Sequence, residues 1–404
     1  MTSTTASVTD HAAPTSVHRW FGVGQSIAED AATAGAEAAG KAVAGREAAL
    51  LIVYTSLENE LKPLVEAVRA TAGAQPVIMG CTTCGEITRP GAVDSSVVVV
   101  ALGGPGFDVR TARAPQSVGE QRAAGVAVAE AVGTTDRPNQ VFVVLGDGMV
   151  GGQHELVRGI YSVLGAQVPL VGANAGNLTY SDAHHFYDAG NGAEILHGGV
   201  VAALIGSDGP IGVGVAHGWR PVGEPMNLTD ADDSRITQID HEPALDVYLR
   251  RLGADDSVTQ DPTGFFMFAH DHPLGIARRG GEDIRVVQSA DLADRSMTIF
   301  SDVQQGAVAW LMETDSDALV NGGSRSCTEA VDALGGAQPI GVMEFDCAVR
   351  KLQLGPDRVV HEVAGMTGAI GAAPLAGFYS MGEIARTHGM RGMHHMTSIS
   401  IALG

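Results

Sequence analysis

Cys81 and Cys84 form a C-x-x-C pair, which is the spacing of redox-active thiols. A zinc site would need a second pair of ligands at suitable spacing, and the other two cysteines, Cys327 and Cys347, do not supply one. A c-type haem would need a histidine directly after the pair, where Gly85 stands. Two interpretations therefore stay open: a thiol pair that does redox chemistry, or small buried residues in a tight loop.

Two glutamates occupy the same place in two similar segments. Glu86 lies in GCTTCGEI and Glu383 lies in GFYSMGEI, and both segments fit the pattern G-x-x-x-x-G-E-I. If both side chains point towards a shared interface, the paired carboxylates could do general acid–base work. A glutamate in such a loop more often accepts hydrogen bonds from backbone amides or a basic group. We therefore favour a role in ordering the loop or a ligand.

A mixed polar set lies near the C-terminal strands. Cys347 and Arg350 occur in FDCAVRKL, and Tyr379, Glu383 and His394 follow. An arginine fork binds carboxylates or phosphates, so the set suits an amino-acid-like zwitterion or a haem propionate. The alternative is a salt bridge between Arg350 and Glu383 that only closes the fold. The predicted ligand-binding residues are Cys347, Arg350, Tyr379, Glu383, His394, Cys81 and Glu86.

The stretch HGMRGMHHM, residues 388–396, is rich in imidazole and thioether groups. These ligands suit copper(I), and imidazole also suits haem iron. Neighbouring side chains in a strand face opposite ways, so only one of His394 and His395 would face a pocket there. His217 and His241 are further candidates for an axial haem ligand. The alternative is a loop in which these residues occur by coincidence.

The bulk composition excludes several classes of protein. The net charge is -21, from 46 acidic and 25 basic residues, so the surface repels nucleic acids and anionic membranes. No apolar run reaches the ~18 residues that a membrane-spanning helix needs. Four cysteines are too few for a disulfide scaffold and fit a cytoplasmic protein. Residues 1–17 lack the features of a signal peptide, and we predict that they form a flexible tail.

The elements that must position these residues recur along the chain. Three similar junctions each follow a helical pattern, with Gly ending the helix and Pro preventing its continuation: GAQPVIMG, GAQVPLVG and GAQPIGVM. An apolar segment read as a strand precedes each helix: ALLIVYTS, VFVVLGDG and, more distantly, GFFMFAH. The repeated strand–helix–strand unit predicts an α/β fold with mixed sheets.

The repeats also predict the domain organisation. The two G-E-I segments lie near opposite ends of the chain, and each leads into an apolar closing strand. Between them, the polar stretch NLTDADDSRIT interrupts the strand pattern. We therefore predict two related α/β halves, at residues 18–225 and 226–404.

These motifs, in this order, resemble the FIST family over about residues 20–404. GCTTCGEI is similar to the family's Gly-Cys-Ser-Thr-Ala-Gly-Glu-Ile stretch, with Cys84 in place of Ala. The other similar segments are LGDGMVGG, PLVGANAG, HGWRPVGEP, HEPALDVYLRRLG, FDCAVRKLQLG and GFYSMGEIAR. The family usually closes with His-Asn-Gln-Thr, whereas residues 394–397 here are His-His-Met-Thr.

The resemblance implies a small-ligand sensor of signal transduction that acts through a separate signalling protein. Some family members are haem proteins that sense nitric oxide, so a haem protein is the alternative. An enzyme that uses Cys81 or Cys347 with a nearby base is the third hypothesis. A small-molecule ligand is the expected partner, and a homo-oligomer is compatible with the sequence.

Overall fold

The computed structural model describes residues 18–57, 60–278, 281–386 and 392–404, so the predicted tail at 1–17 lies outside the described residues. The α-helices are α1 Ala31–Val43, α2 Leu61–Ala72, α3 Gln121–Val132, α4 Gln153–Leu164, α5 Ala244–Leu252, α6 Pro262–His270, α7 Ser316–Asp332 and α8 Ala348–Ala369.

The strands before residue 210 are β1 Trp20–Ser26, β2 Leu50–Thr55, β3 Val77–Thr82, β4 Glu86–Thr88, β5 Gly91–Val93, β6 Val97–Gly103, β7 Phe107–Pro115, β8 Asn139–Asp147, β9 Leu170–Ala175, β10 His184–Asp188, β11 Glu194–His197 and β12 Gly199–Ser207. The later strands are β13 Ile211–Ala216, β14 Arg220–Asn227, β15 Asp230–Asp232, β16 Arg235–Ile239, β17 Glu242–Pro243, β18 Leu274–Arg278, β19 Gly281–Arg285, β20 Val287–Asp291, β21 Ser296–Ile299, β22 Val308–Glu313, β23 Gly341–Cys347, β24 Leu375–Ser380, β25 Glu383–Arg386, β26 Met393–His394 and β27 Ser398–Leu403.

The predicted α/β class with mixed sheets is confirmed, and the repeated unit occurs three times. In the first repeat the strands lie in the order β1-β6-β2-β3, in the second β7-β12-β8-β9, and in the third β13-β27-β23-β24. In each repeat one strand pair is parallel: β2 with β3, β8 with β9, and β23 with β24. Parallel neighbours need a crossover, which α2, α4 and α8 provide.

Each repeat gives a short hairpin to the sheet of another repeat. The hairpin β4–β5 joins β24, β10–β11 joins β3, and β25–β26 joins β9, so the exchange forms a closed cycle. Each incoming strand passes a glycine of the strand it joins. A Cβ at Gly80, Gly172 or Gly377 would lie within about 2 Å of a carbonyl oxygen on the neighbouring parallel strand. Each six-stranded sheet is therefore built from two repeats, and each repeat needs a glycine where its two parallel strands approach closely.

The three sheets enclose one central core, and the helices cover their outer faces. Buried side chains from all three sheets meet in this core, including Tyr54, Phe345 and Phe378. On the outside, α1 and α2 cover the first sheet, α3 and α4 the second, and α7 and α8 the third. This arrangement explains why β2, β6, β12 and β27 are buried along their whole length.

The third repeat is interrupted by an insertion at residues 220–313. It contains a four-stranded and a five-stranded sheet, with α5 and α6, around its own core. The repeat resumes at α7, and β13 before the insertion pairs with β27 at the end of the chain. The domain boundary predicted between residues 225 and 226 stays a prediction. The three structural repeats are divided at other positions.

Two details of the strand assignment were wrong. The segment GFFMFAH belongs to helix α6, where Pro262 follows Asp261, whose carboxylate accepts hydrogen bonds from the N–H groups of Thr263 and Gly264. A short apolar run cannot by itself distinguish a strand from a buried helix. The third junction, GAQPIGVM, leads into β23, which is the equivalent of β2. The equivalent of the first two junctions is GAAPLAG, before β24.

Among the described residues, no helix is long and apolar enough to cross a membrane.

Candidate ligand-binding site

The loops that follow β3, β9 and β24 meet at one point of the molecule. Each loop donates a backbone N–H to a carbonyl near the end of another of these strands: Cys84 to Tyr379 (2.9 Å), Met381 to Asn174 (3.1 Å) and Gly176 to Thr82 (3.2 Å). A Cβ on Gly176 would lie 2.5 Å from Cγ of Met381 and 3.0 Å from Sγ of Cys84. We call this meeting point the triple junction. It brings the first G-E-I segment next to the second, which repeat counting alone could not show.

Glu86 is fully buried in the first repeat and is held by hydroxyl groups. Ser56 and Ser96 donate to Oε2 at 2.8 and 2.6 Å, and Thr83 donates to Oε1. Burial raises the pKa of Glu86 to about 7, although these three hydrogen bonds act to lower it. All three of these hydroxyl groups belong to the first repeat, like Glu86 itself.

Glu383 has the equivalent environment in the third repeat. Ser380 donates to Oε1 at 2.8 Å, and the backbone N–H of Thr397 donates to Oε2 at 3.2 Å. Burial raises the pKa of Glu383 to about 8, while hydrogen bonds from Ser380, Thr397 and the Cys347 thiol act to lower it. Glu86 and Glu383 therefore sit in separate hydrogen-bond networks, and each orders the loop that precedes it.

The third equivalent position is held by His185, and the sequence did not indicate its equivalence to the two glutamates. His185 faces Cys81 across β10 and β3, as Glu383 faces Ala173 and Glu86 faces Phe378. Its Nε2 bonds the carbonyl of Gly146 at 2.9 Å, and burial lowers its pKa to about 4. No G-E-I pattern precedes it, because the loop after β9 is longer.

Arg350 is fully buried, and its donors are occupied by the protein. Nε donates to Asp346 at 2.7 Å, Nη1 to the carbonyl of His217 at 2.7 Å, and Nη2 to Glu362 and to the carbonyl of Leu319. Within the described residues, its carboxylate partners are thus Asp346 and Glu362 rather than Glu383. Burial acts to lower the pKa of Arg350, but the two carboxylates outweigh it and raise that pKa.

Tyr379 and Glu344 extend this buried polar network. The hydroxyl of Tyr379 lies 3.5 Å from Oε2 of Glu362. Ser398 donates to Glu344 at 2.6 Å, Ser400 also donates to it, and burial raises the pKa of Glu344 to about 8. Sequence reasoning missed Glu344. A signal was present, because the closing strand alternates Ser and Ile in SISIALG where the first repeat has valines.

The cysteines are free thiols and all four are buried. Burial raises the pKa of Cys81 and Cys347 well above the ordinary value, and raises that of Cys84 to about 12. The thiolate is the reactive form of cysteine, so these environments do not activate the thiols.

The four histidines proposed as haem or metal ligands differ in burial: His394 and His395 are buried, His217 is partly buried and His241 is exposed. His394 is buried opposite Glu383, and its Nε2 bonds the carbonyl of Ala385 at 3.0 Å. His395 is also buried, and its Nε2 has no hydrogen-bond partner among the described residues. Burial, with Arg285 and His394, lowers the pKa of His395 well below its ordinary value.

His217 and His241 lie apart from this pair in the chain. Nδ1 of His217 accepts the N–H of Trp219 at 2.9 Å, and burial lowers the pKa of His217 to about 4. His241 is exposed on a turn of the insertion. None of the four imidazoles lines any of the three cavities described below. His388 and Met390 lie outside the described residues. Elsewhere, no group of three or more His, Cys, Asp or Glu side chains is arranged to hold a metal ion.

A cavity of about 460 Å³ opens beside the triple junction, and we call it the junction cleft. Its lining comes from all three repeats: Ala92, Asp94, Leu178, Tyr180, Lys351, Leu352, Gly355, Pro356, Val359 and Val360. Lys351 donates to the carbonyl of Cys84 at 2.8 Å and to the carboxylate of Asp94. Cavities of this size that are mainly apolar, with a few polar groups, are typical of small-molecule sites.

The shape of the cleft depends on a break in α8. Gly355 has φ 65° and ψ 171°, which is not helical, and Pro356 follows it. The break separates a short segment that carries Lys351 from a longer one that carries Val359. Tyr180 also has a positive φ, of 55°, which is uncommon for a bulky residue. Such backbone strain is frequent at ligand sites.

Two other cavities lie outside the triple junction. One of about 270 Å³ is lined by residues including His154, Arg158 and Arg386. Another of about 600 Å³ lies on the insertion and includes Arg250 and Arg295. Both are lined by charged side chains that form ion pairs with neighbouring carboxylates, such as Arg158 with Asp302.

Three interlocked α/β repeats with a cleft at their junction define the class of fold, and comparison with known proteins defines the family. The FIST N domain matches residues 49–242, and the FIST C domain matches residues 244–386. The chain therefore belongs to the FIST family, whose domains are generally small-ligand sensory domains of signal transduction. The suspected resemblance is confirmed.

Relatives of similar length occur in mycobacteria. The chain is 25% identical over 401 residues to the uncharacterized protein Rv0628c of Mycobacterium tuberculosis, covering 95% of this chain and 99% of that protein. It is 27% identical over 213 residues to the uncharacterized protein Mb0898c of Mycobacterium bovis, covering 52% and 54% of the two chains. Similarity to the first relative therefore extends over both domains.

Proposed function

We propose that this FIST protein is a sensor whose small-molecule ligand binds in the junction cleft and whose bound state is read by a separate signalling protein. The observation that carries the proposal is the position of the cleft. Its walls come from β5 and Asp94 in the first repeat, Tyr180 in the second, and the two segments of α8 in the third. A ligand there contacts all three repeats at once.

The mechanism follows from that position. A ligand shifts a conformational equilibrium only if it binds one arrangement more tightly than the other. Contacts with both segments of α8 would favour one angle at Gly355, where the helix is already interrupted. Because α8 packs against α7 on the outer face of the third sheet, its movement changes a surface that a partner can read.

The residues predicted from the sequence lie behind the cleft in this proposal. Nζ of Lys351 lies 5.2 Å from the centre of the Tyr379 ring, and it holds the carbonyl of Cys84. Arg350 and Glu362 tie the two segments of α8 together on either side of the break. In this proposal the predicted ligand-binding residues, including Cys347 and Glu383, hold the elements that form the cleft and do not contact the ligand.

The test is a thermal-shift screen of a metabolite panel against three proteins. Val360→Trp places a large side chain at the cleft, at a position that is 63% exposed in the native protein and tolerates substitution. Leu292→Trp, at an exposed position of the insertion, is the matched control. We expect at least one compound that raises the melting temperature of the wild type and of Leu292→Trp but not of Val360→Trp. A panel without binders, or binders that stabilise all three proteins equally, would contradict the proposal.

A haem protein remains the alternative predicted from the sequence. The described positions of His394, His395, His217 and His241 do not favour it, and no step of the proposed mechanism uses haem. An absorption spectrum of the purified protein, before and after haem is added, tests it directly, because bound haem gives a Soret band. The predicted homo-oligomer and the cytoplasmic location stay predictions, and light scattering tests the former.

A further inference from the structure

The polar groups of the junction cleft are not equally available to a ligand. Lys351 is 19% exposed, and its ammonium already donates to the carbonyl of Cys84 and to Asp94, with the Tyr379 ring 5.2 Å away. An ammonium has three donors. Within the described structure, protein groups therefore account for most of what this cation can bind, and a ligand would have to displace them.

Asp94 presents the opposite situation. Its side chain is 52% exposed, and only Oδ1 is engaged by Lys351. No protein hydrogen bond reaches Oδ2 from the described residues, and a carboxylate oxygen accepts two hydrogen bonds. The polar atom that is open to a ligand in the cleft is thus an anionic acceptor.

Tyr180 adds a second polar atom to the lining of the cleft. Its hydroxyl makes no hydrogen bond among the described residues, and its position close to Asp94 and Cys84 is reflected in its pKa. Burial, with smaller electrostatic contributions from Cys84 and Asp94, raises the pKa of Tyr180 to about 12, so the phenol stays neutral at physiological pH. A neutral phenol both donates and accepts hydrogen bonds.

The rest of the lining is apolar. Leu178, Leu352, Pro356, Val359 and Val360 surround the two polar atoms. A ligand that fills the cleft therefore needs one polar end and an apolar body. Its polar end must carry hydrogen-bond donors for Oδ2 of Asp94.

We infer that the junction cleft recognises a small organic amine, with its ammonium between Asp94 and Tyr180 and its apolar body against α8. This inference rests on the proposed function, because it names the ligand class of the same site. The net charge of -21 adds a long-range attraction for cations. A carboxylate ligand would meet repulsion from Asp94 and would have to displace it from Lys351.

The experiment compares three probes of similar shape by isothermal titration calorimetry: 2-phenylethylamine, 2-phenylethanol and 3-phenylpropanoate. We expect the amine to bind most tightly, the alcohol more weakly and the carboxylate weakest. Asp94→Asn should weaken amine binding by about tenfold or more, because hydrogen bonds to charged groups contribute more than neutral ones. It should leave alcohol binding nearly unchanged.

Two further variants keep the result interpretable. Glu66→Gln removes an exposed carboxylate of α2 and should change no affinity, which controls for net charge. Tyr180→Phe removes only the hydroxyl and should weaken the amine by a smaller factor than Asp94→Asn.

The inference is overturned if the carboxylate binds as tightly as the amine, if none of the three probes binds, or if Asp94→Asn leaves the amine affinity unchanged. The proposed function fails separately, through the metabolite panel and Val360→Trp. A panel compound of another class that requires an open cleft would keep the site and reject only the amine.

Discussion

Arg350 and Lys351 are neighbours in α8, yet they serve two different kinds of region. Arg350 lies in a closed network, fully buried, with Asp346, Glu362 and two carbonyls as acceptors. Lys351 points the other way and pairs with Asp94 at the edge of an open cleft. The difference teaches that a buried cation with four of its five N–H donors occupied by the protein is a structural element. A half-exposed ion pair with one free oxygen is a better candidate for recognition.

The closed network should break most severely when Arg350 is removed. Arg350→Met leaves the buried carboxylates of Asp346 and Glu362 without their cation, and breaking a buried ion pair from one side costs about 3–5 kcal/mol. Urea unfolding followed by circular dichroism measures the loss. A cost below about 1 kcal/mol would show that the network does not depend on this residue.

The triple junction between the two regions should resist added volume. Gly176→Ala forces a methyl group against Met381 and Cys84, and such overpacking costs about 1–3 kcal/mol. Met381→Ala in the same chain should recover part of that cost. Gly40→Ala is the matched control, since its nearest contact would be 3.7 Å away in helix α1, where Ala is favoured over Gly. Equal effects at both positions would argue against a close junction.

The protein should also lose stability as the pH rises, because Glu383 is buried. The pKa of Glu383 is raised to about 8 in the folded protein, against about 4.3 in an unfolded chain. Between these values the folded state keeps a proton that the unfolded state has released. This contribution is therefore fully present at low pH, and the free energy of unfolding falls by about 1.4 kcal/mol per pH unit until about pH 8.

Glu383→Gln cannot titrate, so the variant should lose the contribution of Glu383 to the pH dependence, while those of Glu86 and Glu344 remain. Unfolding in urea at several pH values from 5 to 8 measures the slope of the variant relative to the wild type. Glu86→Gln should flatten the slope only up to about pH 7, where the folded pKa of Glu86 lies. Glu66→Gln, at an exposed position, should leave it unchanged. Parallel slopes in all four proteins would contradict buried, protonated carboxyls.

Removal of the ion pair at the edge of the junction cleft should give the smallest change in stability. Lys351→Met removes a partly exposed ion pair with Asp94, and such pairs contribute about 0–1 kcal/mol. The same urea experiment as for Arg350→Met allows a direct comparison of two neighbouring residues. If Lys351→Met were as destabilising as Arg350→Met, the distinction between closed network and open cleft would not hold.

Much of the fold was predictable from local patterns. Gly and Pro after helices α2 and α4, and the apolar strands β2, β8 and β12, identified the repeated unit and its α/β class. The G-E-I segments correctly identified Glu86 and Glu383 as equivalent residues. The patterns indicated three similar units but were interpreted as two halves, because the insertion separates β13 from α7 and His185 replaces the glutamate of the motif in the second repeat.

The sequence by itself determined the elements, the equivalence of the two glutamates and the membership of the FIST family, because these depend on residue type and short-range order. Only the tertiary structure decided that three hairpins are exchanged in a cycle, that Arg350 pairs with Asp346 and Glu362, and that Asp94, Tyr180 and Lys351 line one cleft. Strand pairing and side-chain neighbours join residues that are far apart in the chain, such as Asp94 and Lys351. No local pattern encodes which of two adjacent cations points inward and which one lines a cavity.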